Sequence, residues 1–154
     1  MSDVHPEPSL IYVVGRVGQG VRRELQTGLA LALSVPDVTT LSVLRGRTGL
    51  SNAQLARRAL ITPQSMLEVL ASLERRGFVV RRADAANARI MRAELPASGR
   101  RTLVRADAVI AQLEDELLAG ISPERREQLR NALRSAMGEL SARVRARAAA
   151  RRSA

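Results

Sequence analysis

The chain has 154 residues, enough for one domain with a real core, and carries 25 basic against 15 acidic residues, a net charge of +10. Such a surplus suits a polyanionic partner, although every basic residue is arginine, a bias that a GC-rich genome also produces. The absence of cysteine removes disulfides, thiolate metal sites and Cys nucleophiles, and the only histidine, His5, sits in a Pro-punctuated tail, which argues against a His-based metal site or triad.

Residues 1–8 read as a disordered tail. From Ser9 to Leu33, Val14, Val17, Val21, Leu25, Leu29 and Ala32 recur at steps of three or four, the period of an amphipathic helix. A competing reading takes Leu10 to Gly20 as a strand and glycine-rich phosphate loop. Its order is G-x-x-G-x-G, Asp37 lies behind Pro36 in a turn, and no strand–helix alternation follows, so the helix accounts for more residues. Pro36 then marks a break, Val38 to Arg45 forms a short helix, and Gly46 and Gly49 punctuate a turn.

Ser51 with Gln54 three residues later is a capping-box signature, opening a helix to about Ala59. Thr62-Pro63 opens the next: Thr as N-cap and Pro at the first helical position, where its missing N–H costs nothing. Met66, Val69, Leu70 and Leu73 form its buried stripe, and Gly77 stops it. Phe78 to Arg82 and Arg89 to Leu95 are strand candidates, the second alternating Met91, Ala93 and Leu95 with Arg92 and Glu94. Two capped helices followed by a hairpin with a small polar tip make a winged helix-turn-helix.

Beyond Pro96 come two long helices. Ser98 to Ala119 carries Leu103, Ile110, Leu113 and Leu117. Ser122-Pro123-Glu124 opens the other, with Leu129, Leu133, Met137, Leu140 and Val144 on one face and an Arg/Ala tail from Arg143 that frays into solvent. The fold expected is mainly α with a small β-hairpin wing. Residues 1–33 hold the N-terminal tail and a dimerisation helix, residues 34–96 the DNA-binding domain, and residues 97–154 two further dimerisation helices and the basic tail. Apolar stripes at both ends of so short a chain call for a second copy to cover them.

This order resembles the multiple antibiotic resistance regulator (MarR) family of bacterial transcription factors, from about Leu10 to Leu140. The residues carrying the resemblance are Leu50-Ser51 with Leu55-Ala56, Thr62-Pro63-Gln64-Ser65, Leu73-Glu74 with Gly77-Phe78-Val79 and Arg81, Gly99, and Leu117 to Glu124. It implies a homodimer whose winged domains meet double-stranded DNA at a palindromic operator, and release by a small phenolic or anionic ligand. It also implies that Arg89 at the wing tip enters the minor groove. On the recognition helix, Gln64, Ser65, Leu67, Glu68, Ala71 and Ser72 lie opposite the buried stripe, and its cap Thr62 joins the residues expected at DNA. Gln64 can bond adenine, Glu68 can accept from cytosine and Leu67 can meet a thymine methyl, while Ser51 and the N–H groups of its helix can hold phosphate. Tyr12 and Arg16 are candidate liners of a ligand cleft. The wing departs from the common D-P-x-D-R-R pattern, keeping only Asp84 and Arg89, and Leu60 stands where many relatives have a turn glycine.

No acid–base pair, triad or metal set emerges: Glu114, Asp115 and Glu116 are consecutive and fan around a helix, so neither an enzyme nor a cofactor is expected. With one Tyr and one Phe there is no stacking platform for unpaired bases. No apolar run is long enough to span a bilayer and no signal peptide is seen, so a cytoplasmic protein without a membrane partner is expected. Two other readings stay open, a nonspecific architectural DNA binder and a protein-interaction module that has lost DNA binding.

Overall fold

The computed structural model describes residues 9–28 and 33–153. His5 with its tail, and Leu29 and Ala32 of the first expected helix, lie outside them. Among the described residues six helices and three short strands follow one another: α1 (Leu10–Gly28), α2 (Val35–Gly46), β1 (Leu50–Ser51), α3 (Asn52–Ala59), α4 (Pro63–Arg75), β2 (Val80–Ala83), β3 (Met91–Glu94), α5 (Ala97–Leu117) and α6 (Pro123–Ser153). The sheet is antiparallel in the order β1-β3-β2, with Leu50 opposite Ala93 and Arg81 opposite Ala93 on the other side. This is the mainly α architecture with a small wing that the patterning predicts. Among the described residues no helix is long and apolar enough to cross a membrane.

Leu10 to Gly20 lies wholly within α1, which removes the strand-and-phosphate-loop reading. Leu33 is not helical and is buried, because Ser34 caps the next helix. Pro36 is no break. It occupies the first turn of α2, where Ser34 accepts from the Asp37 N–H (3.2 Å) and the Asp37 carboxylate accepts from the Ser34 N–H (2.8 Å), a complete capping box. Both strands of the wing are shorter than expected: β2 starts only at Val80, after the turn that ends α4, though it reaches Ala83, and β3 yields Arg89 and Ile90 to the loop of residues 84–90 and stops before Leu95. The Arg/Ala tail does not fray either, as α6 runs unbroken to Ser153.

One core serves the middle of the chain. Leu41 and Leu44 of α2, Leu55 of α3, Met66, Leu70 and Leu73 of α4 and Leu103 of α5 are all essentially inaccessible to solvent. Each buried side chain of this size contributes about 1.5–3 kcal/mol. Gly99 lets α5 dock: a Cβ there would stand 2.1 Å from the Phe78 carbonyl oxygen, so only a hydrogen fits. The Ser98 hydroxyl completes that contact by donating to the Gly77 carbonyl at 2.6 Å.

The outer helices differ. Leu10, Ile11, Tyr12 and Val17 of α1 and Leu129, Leu133, Met137, Leu140 and Val144 of α6 are exposed, Ile11 at 83%. The turn into α6 is held by Arg126, which donates to the Leu118 carbonyl at 2.6 Å and the Ile121 carbonyl at 2.9 Å, satisfying acceptors freed at the end of α5.

Candidate nucleic-acid interface

The two helices of the central motif are set by local chemistry at each end. Ser51 caps α3: its Oγ accepts from the Gln54 N–H at 3.4 Å while Gln54 Oε1 accepts from the Ser51 N–H at 2.9 Å. At the other end Leu60 adopts φ 55 and ψ 35, the left-handed region, and the Ile61 N–H closes the turn on the Ala56 carbonyl at 3.1 Å. Leu60 thus holds a backbone conformation that favours glycine. Thr62 caps α4 through the Ser65 N–H at 3.1 Å, and the Asn52 side-chain amide donates to the Pro63 carbonyl at 3.0 Å, tying the start of α3 to the start of α4.

Helix α4 buries Met66, Leu70 and Leu73 and turns Thr62, Gln64, Ser65, Leu67 and Glu68 to solvent, with Ser72 half-buried. Ser65 shares a 2.9 Å hydroxyl–hydroxyl bond with Thr62, so those two polar groups are oriented as a pair. Farther along, the Arg81 guanidinium grips the Glu74 carboxylate, with Nε at 2.8 Å, and fastens the end of α4 to β2. That hydrogen bond holds the Glu74 carboxyl below its ordinary range.

The wing leads with Asp84. One carboxylate oxygen accepts from the N–H groups of Ala86 (2.9 Å) and Asn87 (3.0 Å), and the other from Arg92 Nε. Hydrogen bonds from Arg92, then from the loop amides, keep the Asp84 carboxyl below its ordinary range. Asn87 Oδ1 in turn accepts from the Arg89 N–H at 3.1 Å. Arg89 itself is exposed and makes no ion pair with any described residue.

Ser51, Leu67 and Arg89 come together around one cleft of about 440 Å³, between the start of α3, the face of α4 and the wing. Gln64, Ser65, Glu68 and Ser72 share α4 with Leu67 but do not line this cleft. Tyr12 and Arg16 are elsewhere, on α1. The 370 Å³ cavity between α1, α5 and α6 is lined by Val17, Val21, Leu113, Leu117, Leu129 and Leu133 among others, and neither Tyr12 nor Arg16 reaches it. Sequence reasoning puts Arg92 on the second wing strand and Asn87 in the wing loop, but does not give the bonds from Arg92 to Asp84 and Gly49 or from the Arg89 amide to Asn87. The surviving Asp84 was the one available signal.

Comparison with known proteins gives this arrangement a family. A family model described as MarR family matches residues 33–90, the span from Leu33 through the wing. The HTH-type transcriptional repressor Rv2887 of Mycobacterium tuberculosis is 40% identical over 118 residues, covering 75% of this chain and 85% of the relative. The chain belongs to the MarR family. A crystal structure of Rv2887 in complex with DNA superposes with a TM-score of 0.69 at 34% identity, over 84% of this chain and 98% of that one. Another, of Rv2887 with p-aminosalicylic acid, gives 0.67 at 35%, over 83% and 98%. The resemblance seen in the MarR-like motifs thus extends over most of the fold, outer helices included.

Proposed function

We propose that this MarR-family protein is a cytoplasmic, homodimeric, sequence-specific DNA-binding regulator, acting as a repressor released by a small phenolic or anionic ligand, and not an enzyme. The observation that carries the reading is that Ser51 at the start of α3, Leu67 of the exposed α4 face and Arg89 of the wing line one cleft, with the start of α4 and the wing loop each held by its own hydrogen bonds. In this reading residues 34–96 form the DNA-binding domain, with residues 1–33 and 97–154 contributing the dimer. A two-fold dimer would bring two copies of α4 to successive major grooves about 34 Å apart. Thr62, Gln64, Ser65, Leu67, Glu68 and Ser72 face base edges and the adjoining backbone, Ser51 and the start of α3 meet phosphate, and Arg89 enters the minor groove.

Dimerisation is supported by the apolar faces of α1 and α6, which their own chain leaves open. Ligand release is supported by the relative's complex with p-aminosalicylic acid, an aromatic carboxylate. Tyr12 and Arg16, an exposed phenol and guanidinium on α1 that line neither the wing cleft nor the cavity between α1, α5 and α6, would be offered to such a ligand in a separate cleft formed with a second copy.

The test is selection of genomic fragments by the purified protein, with and without aromatic carboxylates. Enrichment of a palindromic sequence, lost on adding ligand, is expected. Arg89→Ala should weaken binding to the selected duplex by about 1–3 kcal/mol. Steep salt dependence with no sequence preferred would point to an architectural binder instead, and retention of no fragment at low salt to an interaction module.

A further inference from the structure

The loop that carries Arg89 is made of Asp84-Ala85-Ala86-Asn87-Ala88, and three of those five residues are alanines with no side chain able to stiffen it. The β2–β3 ladder ends at the pair Ala83–Met91. Past that pair the loop's own backbone closes on itself through the Asp84 N–H to the Ile90 carbonyl (2.8 Å) and the Ile90 N–H to the Asn87 carbonyl (2.9 Å). Neither bond reaches the helices.

One side chain links the loop to the segment that precedes α3. Arg92 projects from β3 and forks. Its Nε donates to the Asp84 carboxylate, and its Nη1 donates to the Gly49 carbonyl at 3.1 Å. Gly49 has φ +70, the left-handed region that favours glycine, and it immediately precedes β1, whose Ser51 is the cap of α3. Asp84 passes the constraint on through the Ala86 and Asn87 amides, and Asn87 through the Arg89 amide. The side chains of Arg92 and Asp84 are only 36% and 15% exposed, so the pair is partly shielded from water. A planar guanidinium bonding two fixed acceptors restrains an angle as well as a distance.

We infer that Arg92 is a positioning residue, which with Asp84 clamps the wing to the start of α3 and so fixes where Arg89 stands relative to α4. The inference rests on the DNA-binding reading of this surface. Its role is to let one rigid body address two grooves, so that ordering the wing is complete before DNA is met.

Because the chain has no cysteine, Ala88→Cys gives a unique site for a nitroxide on the wing tip. In the full-length protein without DNA, Arg92→Met should sharpen the spectrum of that label to fast motion while the melting temperature moves by only a few degrees. An unchanged spectrum would overturn the clamp. Binding is then read on an unlabelled background, with a 30-base-pair duplex taken from the fragments the wild type selects. Arg92→Met should weaken binding about tenfold with the salt slope unaltered. A slope lower by about one would make Arg92 a phosphate contact instead.

Asp84→Ala supplies a test of opposite sign. It deletes a negative charge beside a polyanion, so charge alone makes binding tighter, whereas a lost clamp makes it weaker by a similar tenfold. The double variant should be no weaker than either single one. Tighter binding by Asp84→Ala, or additive losses, would overturn the proposal. If the wild type retains no duplex, the DNA-binding reading falls, and the label alone decides whether Arg92 holds the wing.

Discussion

The winged middle of the chain and the outer helices use the same apolar residue types at the same helical period, yet end in opposite situations. Leu55, Met66 and Leu70 vanish from solvent inside one chain, whereas Leu129, Met137 and Leu140 stay between 43% and 57% exposed. Periodicity says that a helix has a face to bury, but not whether the cover comes from its own chain. In the proposed dimer, the contrast divides residues that serve folding in the middle from residues that serve association at the ends.

The largest effect that separates the two regions should come from α6. Leu140→Asp places a charge on the exposed apolar face, and a two-fold interface contains every substitution twice. At about 1.5–3 kcal/mol per buried leucine, dimerisation should weaken by about 3–6 kcal/mol. Sedimentation over a range of concentrations should then show monomers whose helical content is retained. A dimer as tight as the wild type would return α6 to the ordinary surface. Leu70→Ala is the counterpart in the middle, with an expected loss of about 3–4 kcal/mol of folding stability and no direct effect on the apposed surfaces. Chemical denaturation of the two variants should place their costs on different transitions.

Gly99→Ala comes next, at about 3 kcal/mol, because the added methyl meets a carbonyl oxygen of the backbone and not a flexible side chain. A loss below 1 kcal/mol would mean that α5 can slide off the Phe78 turn, weakening the division drawn between a rigid middle and open ends. The expected shift in thermal unfolding is about 6–12 °C for a chain of this size.

What the sequence made legible follows the range of the interactions. Ser51 with Gln54 and Thr62 with Ser65 bond across three residues, and both caps stand where their motifs place them. Ser34 with Asp37 has the same spacing, but Pro36 between them reads as a break although it sits in the first helical turn. Strand β1 escapes because two residues have no period, and it exists only through pairing of Leu50 with Ala93 and Ser51 with Arg92, far along the chain. The wing shows the same limit. Resemblance alone points to Arg89, whereas the bond from Arg92 to Gly49 spans 43 residues, a separation at which no local pattern operates.

The smallest prediction concerns the turn that sets α3 against α4. Leu60 is half-buried in the left-handed region, a conformation costing a non-glycine residue roughly 1–2 kcal/mol. Leu60→Gly relieves that cost but loses the side chain's contacts and adds freedom to the unfolded chain, so the net change should stay within about 1 kcal/mol. Leu60→Ala keeps the backbone cost and loses the contacts, and should be the worse of the two by about 1 kcal/mol. In a helix interior the order is the reverse, with glycine about 1 kcal/mol below alanine. The sign of the difference between the two variants, read by denaturation of each, therefore tests the turn without depending on how much the leucine itself contributes. Alanine proving the more stable would mean that Leu60 does not turn left in solution. The angle between the capped helices, and with it the placement of α4 beside the wing, would then need another source.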